Sequence, residues 1–228
     1  MVYERRYVRN TNTFSLAEFA RIKESKVCVI GCGGIGGYAI EMLARLGIGH
    51  LTVVDGDIFD ETNLNRQLLC EEGNLGESKA EAAEKRVRKI NSEVGVSVVK
   101  EYITEENCRH IISGCDIVVE ALDNMSVRKM LAKACADENI PMVHGAMAGW
   151  YAQVAVIAPG DNALNKIYPC DKHKGAEKEL GNPSFTPALV ASLEVTEAIK
   201  VLLHKGVSLE SRMLSIDLLL QEYDVFRV

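Results

Sequence analysis

Residues 26–37 read KVCVIGCGGIGG. Lys26-Val-Cys-Val-Ile30 is a short apolar run ending in glycines, so it reads as a buried strand. Gly31, Gly33 and Gly36 then satisfy G-x-G-x-x-G, with Gly34 between them. Across 34–46, Ile35, Ala39, Met42, Leu43 and Leu46 fall on one helical face. A strand, a glycine turn and a helix in that order form a phosphate site. Glycines let the backbone approach an anion closely, and the helix start offers unpaired N–H groups and the positive end of a dipole. Taken alone, the fingerprint points to an adenosine nucleotide and most often to NAD or FAD oxidoreductases. A tight turn with no ligand is the plainer alternative.

Working outward, 51–54 is a second strand ending at Asp55, where a carboxylate suits ribose hydroxyls. Helix and strand then alternate. Helices are expected at 77–90, 105–112 and 126–137, and strands at 96–99, 116–120 and 141–144. This alternation predicts an α/β fold with a doubly wound, mainly parallel sheet and helices on both faces. The pattern changes after Gly145. Residues 150–157 alternate like a strand of an antiparallel pair, and 159–182 read as a long polar surface loop. A helix is expected at 183–203, and 213–219 and 223–228 close the sheet as antiparallel strands. We read one domain over 1–228, with a nucleotide-binding half at 1–145 and a smaller crossover-loop and partner-binding half at 146–228.

The 228 residues are 47% hydrophobic and 25% charged, the composition of a globular domain with a sizeable core. No apolar run approaches the roughly 20 residues a membrane span needs, and MVYERRYVRN has no signal region. A cytoplasmic protein is expected, with no membrane partner. The net charge of -6 argues against general nucleic-acid binding, which requires basic surface. Seven cysteines, odd in number and without a CxxC pair, fit neither a disulfide framework nor a zinc cage.

The segments Asn63-Leu-Asn-Arg-Gln67 and Gly76-Glu-Ser-Lys79 carry cations that a dinucleotide fold does not require. An enzyme that moves charge on a triphosphate does require them. Arg66 can grip phosphate oxygens bidentately, Lys79 can act as a point charge, and Asn63 can orient the triphosphate. Asp123, in Ala121-Leu-Asp-Asn124, follows the fourth strand, where α/β sheets place ligands. A carboxylate there suits Mg²⁺, which favours one or two carboxylates plus phosphate oxygens. Each charge singly reads as a solvated side chain; it is the set behind the glycine turn that argues for a site.

In GCGGIGG (31–37), VVDGD (53–57), NLNRQ (63–67), GESK (76–79), ALDN (121–124) and VHGAMAGW (143–150), the chain resembles the ThiF/MoeB/HesA adenylyltransferases, bacterial relatives of ubiquitin-activating enzymes. The resemblance runs over nearly the whole length and implies a Rossmann-like fold. It implies ATP and Mg²⁺ as cofactors, with Gly31, Gly33, Gly34, Gly36, Asp55, Asp57, Asn63, Arg66, Gln67 and Lys79 around the nucleotide. Asp55 would hold the ribose, Arg66 and Lys79 the phosphates, and Asp123 the Mg²⁺. Arg6-Tyr-Val-Arg9 resembles the family's R-Y-x-R element, whose second arginine, here Arg9, would reach the ATP of the neighbouring subunit of a homodimer. The implied reaction joins AMP to the C-terminal carboxylate of a ubiquitin-like sulfur-carrier protein ending in Gly-Gly, in a thiamine, molybdopterin or related sulfur-transfer pathway.

The chain also departs from that family. Many relatives carry two CxxC pairs on a structural zinc; here only Cys170 stands near the first pair, so no zinc is expected. Some relatives attack the acyl-adenylate with a crossover-loop cysteine. Cys170 is the candidate thiol, and Lys172, His173 and Lys174 would lower its pKa. A plain loop cysteine is the favoured reading, which leaves sulfur transfer to a separate sulfurtransferase or cysteine desulfurase. Trp150 and Tyr151 either line a groove for the carrier tail or pack on a strand face. The rival readings are an NAD-dependent oxidoreductase, which leaves Arg66, Lys79 and Asp123 unexplained, and a non-catalytic nucleotide-binding subunit, which would be expected to lose them. A related enzyme adenylating a small-molecule or tRNA-borne acid is a third.

Overall fold

The computed structural model describes residues 4–169 and 177–228. A 3-10 turn at Arg5–Asn10 precedes helix α1 (Leu16–Glu24). The sequence reading did not anticipate this helix, although its start signal is present. Ser15 accepts from the Glu18 amide at 3.2 Å and Glu18 accepts from the Ser15 amide at 2.7 Å, a capping box that satisfies two otherwise orphaned donors.

β1 (Lys26–Ile30), α2 (Gly34–Leu46), β2 (His50–Val54), α3 (Lys79–Ile90) and β3 (Gly95–Val99) form two consecutive crossover units. α4 (Cys108–Ile112) then returns the chain to β4 (Ile117–Glu120), on the other side of β1, and α5 (Met125–Asp137) leads to β5 (Met142–Ala148). These five strands are parallel, in the order β3-β2-β1-β4-β5. β6 (Tyr151–Ile157) is antiparallel to β5. Helices α6 (Ala163–Ile167), α7 (Glu177–Leu180) and α8 (Phe185–Leu203) follow, and then β7 (Arg212–Asp217) and β8 (Glu222–Arg227) complete an eight-stranded sheet as antiparallel strands. The doubly wound, mainly parallel sheet with an antiparallel extension is the expected fold.

Each central strand is buried on both faces, which explains its continuous apolar run. Val27 and Val29 of β1 face a core shared with α2, α3 and α8, whereas Cys28 and Ile30 face one shared with α4, α5 and α6. Cys28, Cys32, Cys70, Cys108 and Cys135 are buried free thiols and Cys115 is partly buried.

Two expectations need correction. β5 does not stop at His144. It runs on through Gly145 to Ala148, because β6 pairs with it from Met142↔Ile157 to Ala148↔Tyr151. Nor is 159–182 surface loop throughout. Ala163 and Leu164 of α6 are buried against the α5 side of the core, and α7 is helical. No helix among the described residues is long and apolar enough to cross a membrane.

The connections after β1 and β4 leave towards opposite faces of the sheet. That opens a crevice at the carboxyl ends of these two strands.

Candidate active site

The crevice begins at the glycine turn. Gly31 adopts φ +98°, and a Cβ there would lie 2.6 Å from the Ala121 carbonyl oxygen. A Cβ on Gly36 would lie 1.8 Å from the Gly31 oxygen. Only glycine at both positions lets α2 start directly on the turn while the turn touches the β4 loop. Gly36 is thus a packing position behind the cleft wall, whereas Gly31, Gly33 and Gly34 line the cleft.

Asp55, at the end of β2, is fixed to this turn. Its Oδ2 accepts from the Cys32 amide at 2.7 Å and its Oδ1 from the Asp57 amide at 2.9 Å. Burial pushes its carboxyl up against these bonds. Lys79 stands in the first turn of α3, whose N-cap is Ser78. Its side chain is only 9% exposed, and Nζ donates to Asp57 Oδ2 at 2.7 Å. That ammonium holds the Asp57 carboxyl below its usual range.

A 3-10 turn at Glu61–Asn63 positions the next residues. Asn63 is buried, and its Oδ1 accepts from the Asp60 amide at 3.1 Å; it shapes the turn and does not line the cleft. Arg66 does line it, with Nη1 donating to Thr62 O and Asn65 Oδ1, both at 2.9 Å. The Gln67 carboxamide lies against Gly33, and its Oε1 is buried with no hydrogen-bond partner. Asp123 stands exposed at the cleft mouth, just before the α5 N-cap Asn124.

The cleft measures about 750 Å³. It gathers Asp55, Asp57, Arg66, Gln67, Lys79 and Asp123 with the three glycines, although the chain spreads them over more than ninety positions. Arg9 does not line it; Arg9 sits exposed in the N-terminal 3-10 turn. Cys170, with Lys172, His173 and Lys174, lies outside the described residues.

Behind Asp123 is a buried polar network that the sequence reading missed. Glu120 is fully buried. Its Oε1 accepts from the Leu122 amide at 2.6 Å and lies 3.2 Å from Arg128 Nε. Its Oε2 is 2.6 Å from His144 Nδ1. His144 Nε2 is 3.1 Å from the Tyr168 hydroxyl, which also accepts from Gln153 Nε2. Burial opposes charge on Glu120, but Arg128 and His144 outweigh it and hold the carboxyl below its ordinary range. Burial pushes the His144 imidazole down, and the Tyr168 phenol up to about 12. The available signal was an acid and a histidine at the ends of consecutive strands, where they fall in register.

The sequence profile of the ThiF family matches residues 7–228. The chain belongs to the ThiF family. Among curated ThiF relatives, the SAMP-activating enzyme E1 of Haloferax volcanii is 35% identical over 200 residues, covering 86% of this chain and 74% of that protein. The sulfur carrier protein ThiS adenylyltransferase of Bacillus subtilis is 34% identical over 203 residues. That alignment covers 87% of this chain but only 60% of the Bacillus protein. The crystal structure of E. coli MccB with ATP superposes with a TM-score of 0.85 over 99% of this chain and 71% of that one. At 24% identity this is a likeness of fold.

Proposed function

We propose that this ThiF-family chain is an adenylyltransferase that uses ATP to activate the C-terminal carboxylate of a ubiquitin-like sulfur-carrier protein. The observation that carries the reading is the convergence of the glycine turn, Asp55, Arg66, Lys79 and Asp123 on one cleft. The names of the Haloferax and Bacillus relatives support the substrate class. The buried, unpartnered Gln67 Oε1 fits a site that a polar ligand completes.

In this reading Asp55 accepts from the ribose hydroxyls, and the turn at Gly33 and Gly34 cradles the phosphates. Arg66 and Lys79 face the β- and γ-phosphates. Asp123 would hold Mg²⁺, which when bound neutralises phosphate charge. The carrier's terminal carboxylate, already ionised at neutral pH, forms a bond to the α-phosphorus. The bond to the bridging oxygen breaks and its electron pair leaves with pyrophosphate, so no general base is required. Catalysis is then positioning and charge stabilisation by the chain's own cations. Residues 146–228 supply the carrier-binding half, and Arg9 acts in the cleft of a second copy of the chain. Sulfur enters afterwards, through a separate sulfurtransferase or cysteine desulfurase.

An NAD-dependent oxidoreductase would leave Arg66, Lys79 and Asp123 without work. The test is ATP–pyrophosphate exchange with Mg²⁺ and carrier proteins ending in Gly-Gly. Exchange that depends on one carrier, and that is lost in Asp123→Ala, supports the reading. Tight ATP binding without exchange for any carrier overturns it.

A further inference from the structure

Beyond the nucleotide half, the cleft continues over the antiparallel part of the sheet, where its floor is regular. Ala146, Gln153 and Ser215 are cross-strand neighbours in one row, and Ala148 and Tyr151 are paired in the next. All five line the cleft. The row on the other side, His144-Ala155-Met213, is closed: His144 and Ala155 expose no surface. The Tyr168 ring stands edge-on to His144, with centroids 5.6 Å apart. A groove whose floor sets the small side chains of Ala146, Ala148 and Ser215 beside Gln153 and Tyr151 therefore ends at Tyr168.

That ring is fixed with a defined hydrogen-bond direction. Glu120 is ionised beside Arg128, so His144 Nδ1 carries the proton donated to Oε2. Nε2 is left as an acceptor and receives the tyrosine proton, while Gln153 donates to the tyrosine oxygen. Lys129 Nζ holds the Tyr168 carbonyl at 2.9 Å. Swinging the ring aside would strand buried polar groups, which costs far more than breaking solvated hydrogen bonds. The same Glu120 also fixes the Leu122 amide, next to Asp123. One carboxylate thus sets the position of the groove's end relative to the loop that carries Asp123.

We propose that Tyr168 is a specificity-determining residue for the acyl donor, walling the groove where it meets the β4 loop so that only a peptide tail without side chains at its last residues fits. His144 is a positioning residue that acts through Tyr168. This inference rests on the adenylyltransferase reading above.

The test compares kcat/KM in pyrophosphate exchange for a Gly-Gly carrier and for the same carrier with its last glycine changed to alanine. Wild type should favour glycine by about tenfold or more, the scale on which a pocket resolves one methyl group. Tyr168→Ala should bring the ratio close to one through the KM for the carrier, with the KM for ATP unmoved. His144→Gln should lower the ratio part of the way. If Tyr168→Ala does not fold, Tyr168→Phe, which keeps the ring but loses both tethers, decides: a lowered ratio supports the inference and an unchanged ratio overturns it. Wild-type exchange with no preference, or an unchanged ratio in a folded Tyr168→Ala protein, overturns this inference alone. Absence of exchange with every carrier overturns it together with the adenylyltransferase reading.

Discussion

Glu120 and His144 face each other in register across β4 and β5, with Oε2 2.6 Å from Nδ1 and neither side chain open to water. Arg128 already compensates the carboxylate, so the imidazole is neutral in the folded state. Burial keeps its pKa below the ordinary 6.5. In the unfolded chain it takes up a proton near its ordinary value. This part of the stability is therefore present above pH 6.5 and lost as pH falls from there through the folded value. Thermal melts of wild type should lose stability across that window. His144→Gln should flatten the loss, and an equally steep fall in that variant would contradict the assignment.

Lys79 is a buried cation of the cleft. Lys79→Met should lower exchange activity by a factor of about 10² to 10³, the usual effect of deleting a group aimed at transition-state charge. Its partner Asp57 is half exposed, so the unpaired carboxylate can hydrate. The melting temperature should move little. Activity near the wild-type level in a folded variant would remove Lys79 from the chemistry.

Glu194, in α8, is fully buried with neither carboxyl oxygen hydrogen-bonded, and burial pushes its pKa well above the ordinary carboxylate value of 4.5. The folded state then holds a proton that the unfolded state releases. Stability falls as pH rises above 4.5 towards the folded value. Glu194→Gln should match wild type near pH 4.5 and melt several degrees higher at pH 8. In a chain of this size about 1 kcal/mol corresponds to about 2–4 °C. A gain equal at both pH values would show that shape, not protonation, is responsible.

Gly36 and Gly73 offer a matched pair. A Cβ on Gly36 would meet the Gly31 oxygen at 1.8 Å, whereas one on Gly73 would meet nothing within 4 Å. Gly36→Ala should destabilise by about 3 kcal/mol or more, or prevent folding, because backbone has to move. Gly73→Ala should stay within about 0.5 kcal/mol of wild type. Denaturant unfolding of the two proteins reads this directly.

The strands and helices of residues 26–54 were legible because their signals are local. The helix at Gly34–Leu46 occupies the predicted span, since one apolar face and a glycine on either side define it. Part of the cleft lining was legible because motif spacing carried it, whereas Arg128, Gln153 and Tyr168 line the same cleft without a motif to mark them. Other features were hidden for identifiable reasons. Helix α1 is only nine residues long and buries just Phe19 and Ile22, too short a run to establish a period, and Ser15 and Glu18 mark its start. Helix α6 buries just Ala163 and Leu164 in an otherwise polar stretch, which composition alone assigns to a loop. The Glu120-His144-Tyr168-Gln153 network draws on three strands and a helix end. Its members become neighbours only when β4, β5 and β6 are laid side by side. The inward turn of Asn63 was hidden because a carboxamide looks the same in sequence whether it turns out to a ligand or in to cap its own turn.

The contact of Gly31 with both Gly36 and Ala121 has a mechanical consequence. Three stretches of main chain meet there with no side chain between them, so nothing compressible lies at the junction of β1, α2 and the β4 loop. That part of the molecule resists deformation, because any shift of one stretch drives backbone against backbone.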